Sequence, residues 1–111
     1  MKLSWRQLDE WKIVTPERIR LDAPIADAFK QAIADVIAAG GKKIIVNLSK
    51  VEFMDSSGLG ALIACRQKLG ESGQLVLASA QGDVATLLRL THLDRVFCLV
   101  NAPEDVMQKT T

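Results

Sequence analysis

The sequence has few of the side chains that most often carry catalysis or bind metals. It contains one histidine, two cysteines and no tyrosine among 111 residues. His92 has no neighbouring cysteine or carboxylate cluster, and Cys65 and Cys98 lack the spacing of metal ligands. A serine nucleophile would need a positioned base, and the nucleophile-elbow, phosphate-loop and dinucleotide fingerprints are absent. We therefore expect a protein that is not an enzyme and that uses neither a metal nor a cofactor.

The sequence also lacks an excess of charge of either sign and has no long apolar run. Fourteen basic and thirteen acidic residues give a net charge of +1, so no overall field attracts nucleic acid or an anionic membrane. No apolar run approaches the roughly 20 residues of a membrane-spanning helix, and residues 1–6 contain no apolar signal core. Both cysteines lie in apolar stretches, which predicts buried, reduced thiols in a cytoplasmic protein.

The patterns that are present indicate one α/β domain. An apolar share of 49% and a charged share of 24% are ordinary for a globular chain. Two N-terminal strands joined at Asp9-Glu10 precede alternating helices and strands, which favours a mostly parallel sheet of four to five strands with helices mainly on one face. The predicted strands are 3–8, 11–15, 43–48, 75–78 and 96–100. The first predicted helix enters at residues 21–24, has apolar residues at helical spacing over 25–37 and stops at Gly40-Gly41. The other predicted helices are 58–69, 83–90 and 103–108.

The most informative segment is residues 53–60, Phe-Met-Asp-Ser-Ser-Gly-Leu-Gly. An apolar strand precedes it and an apolar helix follows it. Ser56 and Ser57 are therefore predicted at the start of a helix, close to free backbone N–H groups and the positive end of the helix dipole. A phosphate there is electrostatically favourable in the free protein and adds charge to the surrounding surface. The segment favours a switch over a catalyst.

A purely structural interpretation stays open for each residue of this region. Serine is a preferred helix cap, and glycine permits close packing or a positive φ angle. The structural alternatives are capping by Ser56 and Ser57, backbone packing at Gly58 and Gly60, and capping or turn formation by Asp22 and Asp55.

The order of elements and the segment Met54–Gly60 resemble the STAS domain, in particular the stand-alone bacterial anti-sigma factor antagonists. The segment 87–93, Leu-Leu-Arg-Leu-Thr-His-Leu, is similar to the end of the family's third helix. The resemblance implies a single STAS domain over residues 1–111, with a core at about 11–107. It departs from the family at Ile19–Asp22, where many antagonists carry a glycine.

The resemblance also implies regulation by partner switching. In such proteins the serine after the motif aspartate is phosphorylated by an anti-sigma factor that is itself a serine kinase of the histidine-kinase-like ATPase type. The unphosphorylated antagonist binds this kinase and releases its client, and a metal-dependent serine phosphatase reverses the modification. The matching phosphorylation position here is Ser56. The implied partner-contacting residues are Asp22, Asp55, Ser56, Ser57, Gly58 and Gly60.

Two other functions stay open at this point. One is a non-switching STAS subunit that docks on a transport complex of the lipid-transport ATPase type, with residues 55–60 as a permanent docking surface. The other is a small-ligand sensor, which no phosphate loop in the sequence favours.

Overall fold

The computed structural model describes residues 3–106, and within them it contains a five-stranded sheet, a two-stranded ribbon and three α-helices. The strands are β1 Leu3–Leu8, β2 Trp11–Pro16, β3 Arg20–Leu21, β4 Lys43–Asn47, β5 Phe53–Met54, β6 Gln74–Ala78 and β7 Cys98–Val100. The helices are α1 Ala23–Ala38, α2 Ser56–Leu69 and α3 Gly82–Leu90. Short 3₁₀ turns occupy Leu93–Arg95 and Pro103–Asp105.

The main sheet confirms the predicted α/β fold. Its strand order is β1-β2-β4-β6-β7, and only the β1–β2 pair is antiparallel. The tight turn between these two strands lies at Asp9-Glu10, as predicted, and Asp9 adopts a positive φ of 52°. Because β1 and β7 form the two edges, β2, β4 and β6 are the inner strands, and Ile44, Ile45 and Val46 of the central strand β4 are fully buried.

One face of the sheet carries the main core. Phe29 and Ile33 of α1, Leu62 of α2 and Leu88 of α3 are fully buried there and belong to the same cluster as Val46 of β4. Apolar residues at helical spacing thus direct one side of each helix onto the sheet. None of the helices within residues 3–106 combines the length and apolar character needed to cross a membrane.

The opposite face carries a smaller core. Ile13, Ile45 and Val76 of three adjacent strands are buried there together with Trp11 and Val106. The chain reaches this face after the 3₁₀ turn at Pro103–Asp105. The predicted last helix therefore begins as a 3₁₀ turn, and its final residues lie outside the described part of the chain.

The ribbon formed by β3 and β5 is the element that positions the candidate site. Arg20 pairs with Phe53 and Leu21 with Met54 in parallel. Leu21 and Met54 are buried, with exposed fractions of 0% and 5%. Since α1 follows β3 and α2 follows β5, the ribbon places the starts of these two helices side by side.

One prediction of burial needs correction. Cys65 is buried as predicted, but the prediction for Cys98 is wrong, because β7 is an edge strand and leaves this thiol exposed. The two tryptophans differ in the same way. Trp11 on the inner strand β2 is buried, whereas Trp5 on the other edge strand has an exposed fraction of 59%.

Candidate phosphorylation and partner-binding site

The site is the start of α2, which we call the switch turn (residues 55–60). Asp55 leaves β5 with an extended backbone and is the N-cap of α2. Its Oδ1 accepts a hydrogen bond of 3.0 Å from the backbone N–H of Gly58. A carboxylate in this position satisfies one of the free N–H groups of the first turn and interacts favourably with the helix dipole.

The same carboxylate also serves α1. Oδ2 of Asp55 accepts a hydrogen bond of 3.3 Å from the backbone N–H of Ala23, the first residue of that helix. Asp22 is the N-cap of α1 by position, but its side chain makes no capping hydrogen bond. Its Oδ2 instead accepts a 2.9 Å hydrogen bond from Nε of Arg20. A single side chain, Asp55, therefore joins the beginnings of both helices.

The two serines differ in exposure and neither caps the helix. Ser56 is the first residue of α2 and is exposed, while Ser57 is half-buried. Within residues 3–106 neither hydroxyl takes part in a hydrogen bond. The capping interpretation is wrong for both serines, since Asp55 performs that role. The hydroxyl of Ser56 is thus free to meet another protein.

The two glycines of the switch turn have unequal structural roles. A Cβ atom on Gly58 would lie 2.2 Å from the carbonyl oxygen of Leu21 and 2.7 Å from Cγ of Met54. This confirms the packing interpretation for Gly58, which lets α2 lie directly against the ribbon. Gly60 is exposed, has no positive φ angle, and a Cβ there would meet no atom within 4 Å. Nothing in the described part of the chain requires glycine at position 60.

Backbone N–H groups add to the electrostatics of this surface, beside the Asp55 carboxylate and the Arg20–Asp22 ion pair. The first turns of α1 and α2, helices of 16 and 14 residues, contain no acidic side chain. The positive ends of the two helix dipoles lie side by side, and the Asp55 carboxylate accepts a hydrogen bond from one backbone N–H of each helix. Within residues 3–106 no group of three or more histidine, cysteine or acidic side chains could hold a metal ion.

Sequence reasoning missed Arg20 and Phe53 beside the switch turn. The guanidinium of Arg20 lies over the ring of Phe53, 4.1 Å from the ring centroid. The spacing in the sequence could have indicated them, because each of these residues stands two positions before the aspartate at the N-cap of the following helix.

The mixed sheet and the capped switch turn define a STAS-type α/β domain. The chain belongs to the STAS domain family, whose family model matches residues 10–109. The anti-sigma-F factor antagonist RsfB of Mycobacterium tuberculosis (strain H37Rv) is 30% identical over 87 residues, which are 78% of this chain and 71% of that protein.

Solved structures extend this likeness to the fold. An anti-sigma factor antagonist from Mycobacterium paratuberculosis superimposes with a TM-score of 0.87 at 28% identity, covering 97% of this chain and 92% of that one. The phosphorylated form of the Bacillus cell fate determinant SpoIIAA gives a TM-score of 0.71 at 18% identity, covering 99% of this chain and 100% of that one. At this low identity the second comparison concerns the fold alone.

Proposed function

We propose that this protein is a cytoplasmic anti-sigma factor antagonist that acts by partner switching through Ser56. The unphosphorylated form binds an anti-sigma factor that is also a serine kinase, and so releases the client of that kinase. Phosphorylation of Ser56 ends the binding, and a metal-dependent serine phosphatase restores it. The observation that carries the proposal is the exposed Ser56 hydroxyl at the start of α2, beside an aspartate that already caps the helix. The relatives named anti-sigma factor antagonists support it.

Phosphorylation at this position is compatible with a folded domain. A phosphate carries about −1.5 to −2 charges near neutral pH. The helix dipole stabilises such a charge at the N-terminus by about 0.3–1 kcal/mol at an exposed site. Ser56 is exposed, so the oxygens of a phosphate on it would stay hydrated in the free protein.

The same charge opposes binding when Ser56 lies inside an interface. Pressing a dianion against an apolar or acidic partner surface removes its water or places like charges together, which costs several kcal/mol. A loss of about 3 kcal/mol lowers affinity by more than a hundredfold. Because this penalty exceeds the stabilisation by the dipole, phosphorylation separates the two proteins without unfolding the antagonist.

Gly60 supports a partner surface that extends along α2. Glycine in a helix interior destabilises by about 1 kcal/mol relative to alanine, and nothing in the described chain offsets this at position 60. We assign Gly60 to close approach of the partner backbone. In this proposal Asp22, Asp55 and Ser57 lie at the border of the contact, while Gly58 acts by holding the switch turn in place.

The first test is a pull-down from native lysate with wild type, Ser56→Ala, Ser56→Asp and Ser72→Asp as baits. Ser72 is exposed in the loop after α2 and serves as the control for an added charge. We expect wild type, Ser56→Ala and Ser72→Asp to retain a kinase-like ATPase that Ser56→Asp loses. The purified kinase should then transfer phosphate from ATP to Ser56, as mapped by mass spectrometry, and not to the Ser56→Ala protein.

Two results contradict the proposal. If the purified partner kinase does not phosphorylate Ser56, regulation by phosphorylation of this residue is ruled out. Retention of the same transporter component by all four baits favours the alternative of a permanent docking subunit.

A further inference from the structure

The ribbon next to the switch turn presents two apolar side chains and an arginine that is paired with Asp22, and we call this surface the docking patch (Ile19, Arg20 and Phe53). Side chains alternate along the ribbon, so that Leu21 and Met54 are buried while Arg20 and Phe53 face outward. The exposed fractions of Ile19 and Phe53 are 61% and 36%. The carbonyl oxygen of Ile19 accepts a 3.1 Å hydrogen bond from the N–H of Phe53, which fixes the two residues side by side.

Arg20 is held in place while part of its hydrogen-bonding capacity stays open. Its Nε donates to Asp22 at 2.9 Å, and its guanidinium stacks on Phe53. A guanidinium carries five N–H donors in a planar fork. The guanidinium already forms an ion pair with Asp22, and within residues 3–106 its two terminal amino groups make no hydrogen bond. These groups are suited to a carboxylate from another molecule.

A cleft adjoins the docking patch on the side of α1. Its volume is about 520 Å³, and it is lined by Ile19, Arg20 and Asp22 together with Arg18, Pro24 and Ile25 among others. Arg18 is exposed and forms no ion pair within residues 3–106. Glu17 lines the cleft as well, so its two arginines are balanced by two carboxylates, and the cleft offers apolar walls without a net charge next to the switch turn.

We propose that the docking patch binds a segment of the anti-sigma factor that carries an aspartate or glutamate next to an apolar side chain. The carboxylate pairs with the terminal amino groups of Arg20, and the apolar side chain packs between Ile19 and Phe53. This inference rests on the proposed function and adds a second contact to the Ser56 surface. Aromatic residues and arginine dominate protein interfaces, and a preformed arrangement loses little side-chain freedom on binding.

The test measures the affinity of the purified anti-sigma factor for Phe53→Ala, Ile19→Ser and Arg20→Lys by calorimetry. Leu90→Ser and Val96→Ser are matched controls, because these side chains are also exposed, at 70% and 44%, but lie outside the docking patch. We expect Phe53→Ala to weaken binding about thirtyfold, as for a residue that dominates an interface. Arg20→Lys keeps the charge but loses the fork and the stacking, and we expect about tenfold weakening. The controls should stay within twofold of wild type.

Two further measurements separate binding from folding. A photo-reactive amino acid at position 19, whose side chain is exposed, should cross-link to a partner peptide that contains an acidic residue. Arg20→Glu should abolish binding, and replacing that acidic residue of the partner by arginine should restore it. Melting temperatures of all variants should lie close to that of wild type.

The outcomes distinguish this inference from the proposed function. If binding depends on Ser56 but the docking-patch variants and the controls bind equally well, the docking patch is not a contact and the function stands. If cross-linking at position 19 captures only basic or apolar peptides, the carboxylate assignment is wrong. If the wild-type protein binds no anti-sigma factor, both proposals fail.

Discussion

The two glycines of the switch turn differ in whether the fold has room for a methyl group. Gly58 and Gly60 stand two positions apart in α2, yet a Cβ at position 58 would enter the ribbon and a Cβ at position 60 would point into open space. The sequence presents both as glycines of one motif and cannot tell them apart. The difference arises because Leu21, 37 positions earlier in the chain, places its carbonyl group against Gly58 only after folding.

We expect Gly58→Ala to lower the free energy of unfolding by at least ~2 kcal/mol. The new methyl group would lie 2.2 Å from the Leu21 carbonyl oxygen, and a backbone group cannot move aside without shifting α2 or the ribbon. Denaturant titration measures the change. Gly60→Ala is the control, and its free energy of unfolding should rise by up to about 1 kcal/mol. Equal effects of the two substitutions would contradict the close approach at Gly58.

The two cysteines should differ in reactivity. Burial raises the pKa of the Cys65 thiol to about 11, although Lys30 acts in the opposite direction. Cys98 is exposed on β7. A thiolate-specific reagent at pH 8 should therefore modify one thiol in the folded protein and both in denaturant, and Cys98→Ser should remove the fast reaction. Fast modification of Cys65 in that variant would contradict its burial.

The same shift predicts a pH dependence of stability. The folded protein holds the Cys65 proton up to about pH 11, whereas the unfolded chain releases it near the ordinary value of 9.0. Ionisation thus favours the unfolded chain, and the stabilisation that is complete below pH 9 should decline as the pH rises towards 11. Comparing wild type with Cys65→Ala by thermal unfolding isolates this contribution. Parallel curves over that range would show that Cys65 does not cause the decline.

At the scale of elements, the shared cap at Asp55 links α1 and α2. Two backbone N–H groups, from helices that begin 33 positions apart, bond to one carboxylate. This arrangement keeps the region of Asp22 and the region of Ser56 in a fixed relation, which a partner that touches both would require.

We expect Asp55→Ala to destabilise the protein by about 2 kcal/mol, because it removes a cap from each of two helices. Ser56→Ala and Ser57→Ala remove no hydrogen bond within the described chain and should each change the free energy of unfolding by less than about 0.5 kcal/mol. Denaturant titration of the three variants provides the comparison. A larger effect at either serine than at Asp55 would show that the helix is capped by serine.

Helices and strands could be predicted where a continuous stretch of sequence carries the apolar pattern of the element. The β1–β2 hairpin, α1 and the central strands follow from local apolar patterns and from punctuation by proline and glycine. The strands β3 and β5 have two residues each, too few for a period-two pattern, and they pair across more than 30 positions of sequence with Leu21 and Met54 buried side by side. The exposure of Cys98 could not be predicted from its apolar neighbours, since it depends on β7 being an edge strand. The phosphorylation position followed from family resemblance, whereas the docking patch required the folded ribbon.

In the whole molecule the candidate site and the smaller core lie in different places. The candidate site lies where β3 and β5 lead into α1 and α2, whereas Val106 belongs to the smaller core on the face opposite the helices. A substitution in that smaller core should therefore change stability and leave partner binding intact.

We expect Val106→Ala to lower the free energy of unfolding by about 2 kcal/mol, because it removes two buried methyl groups and leaves a cavity. Val96→Ala is the matched control, since Val96 has an exposed fraction of 44% against 0% for Val106. Its effect should be below about 0.5 kcal/mol. Binding of the anti-sigma factor by the folded Val106→Ala protein should equal that of wild type. A loss of binding without unfolding would place the partner on the second face.

The open space over Gly60 has a consequence for laboratory evolution. A library of this domain sorted only for heat resistance should enrich alanine at position 60 early, because the substitution strengthens α2 and disturbs no neighbour. If the partner's backbone occupies that space, the selected variants would be more heat-resistant but would no longer bind the partner. Sorting in alternate rounds for heat resistance and for partner capture would keep glycine at this position.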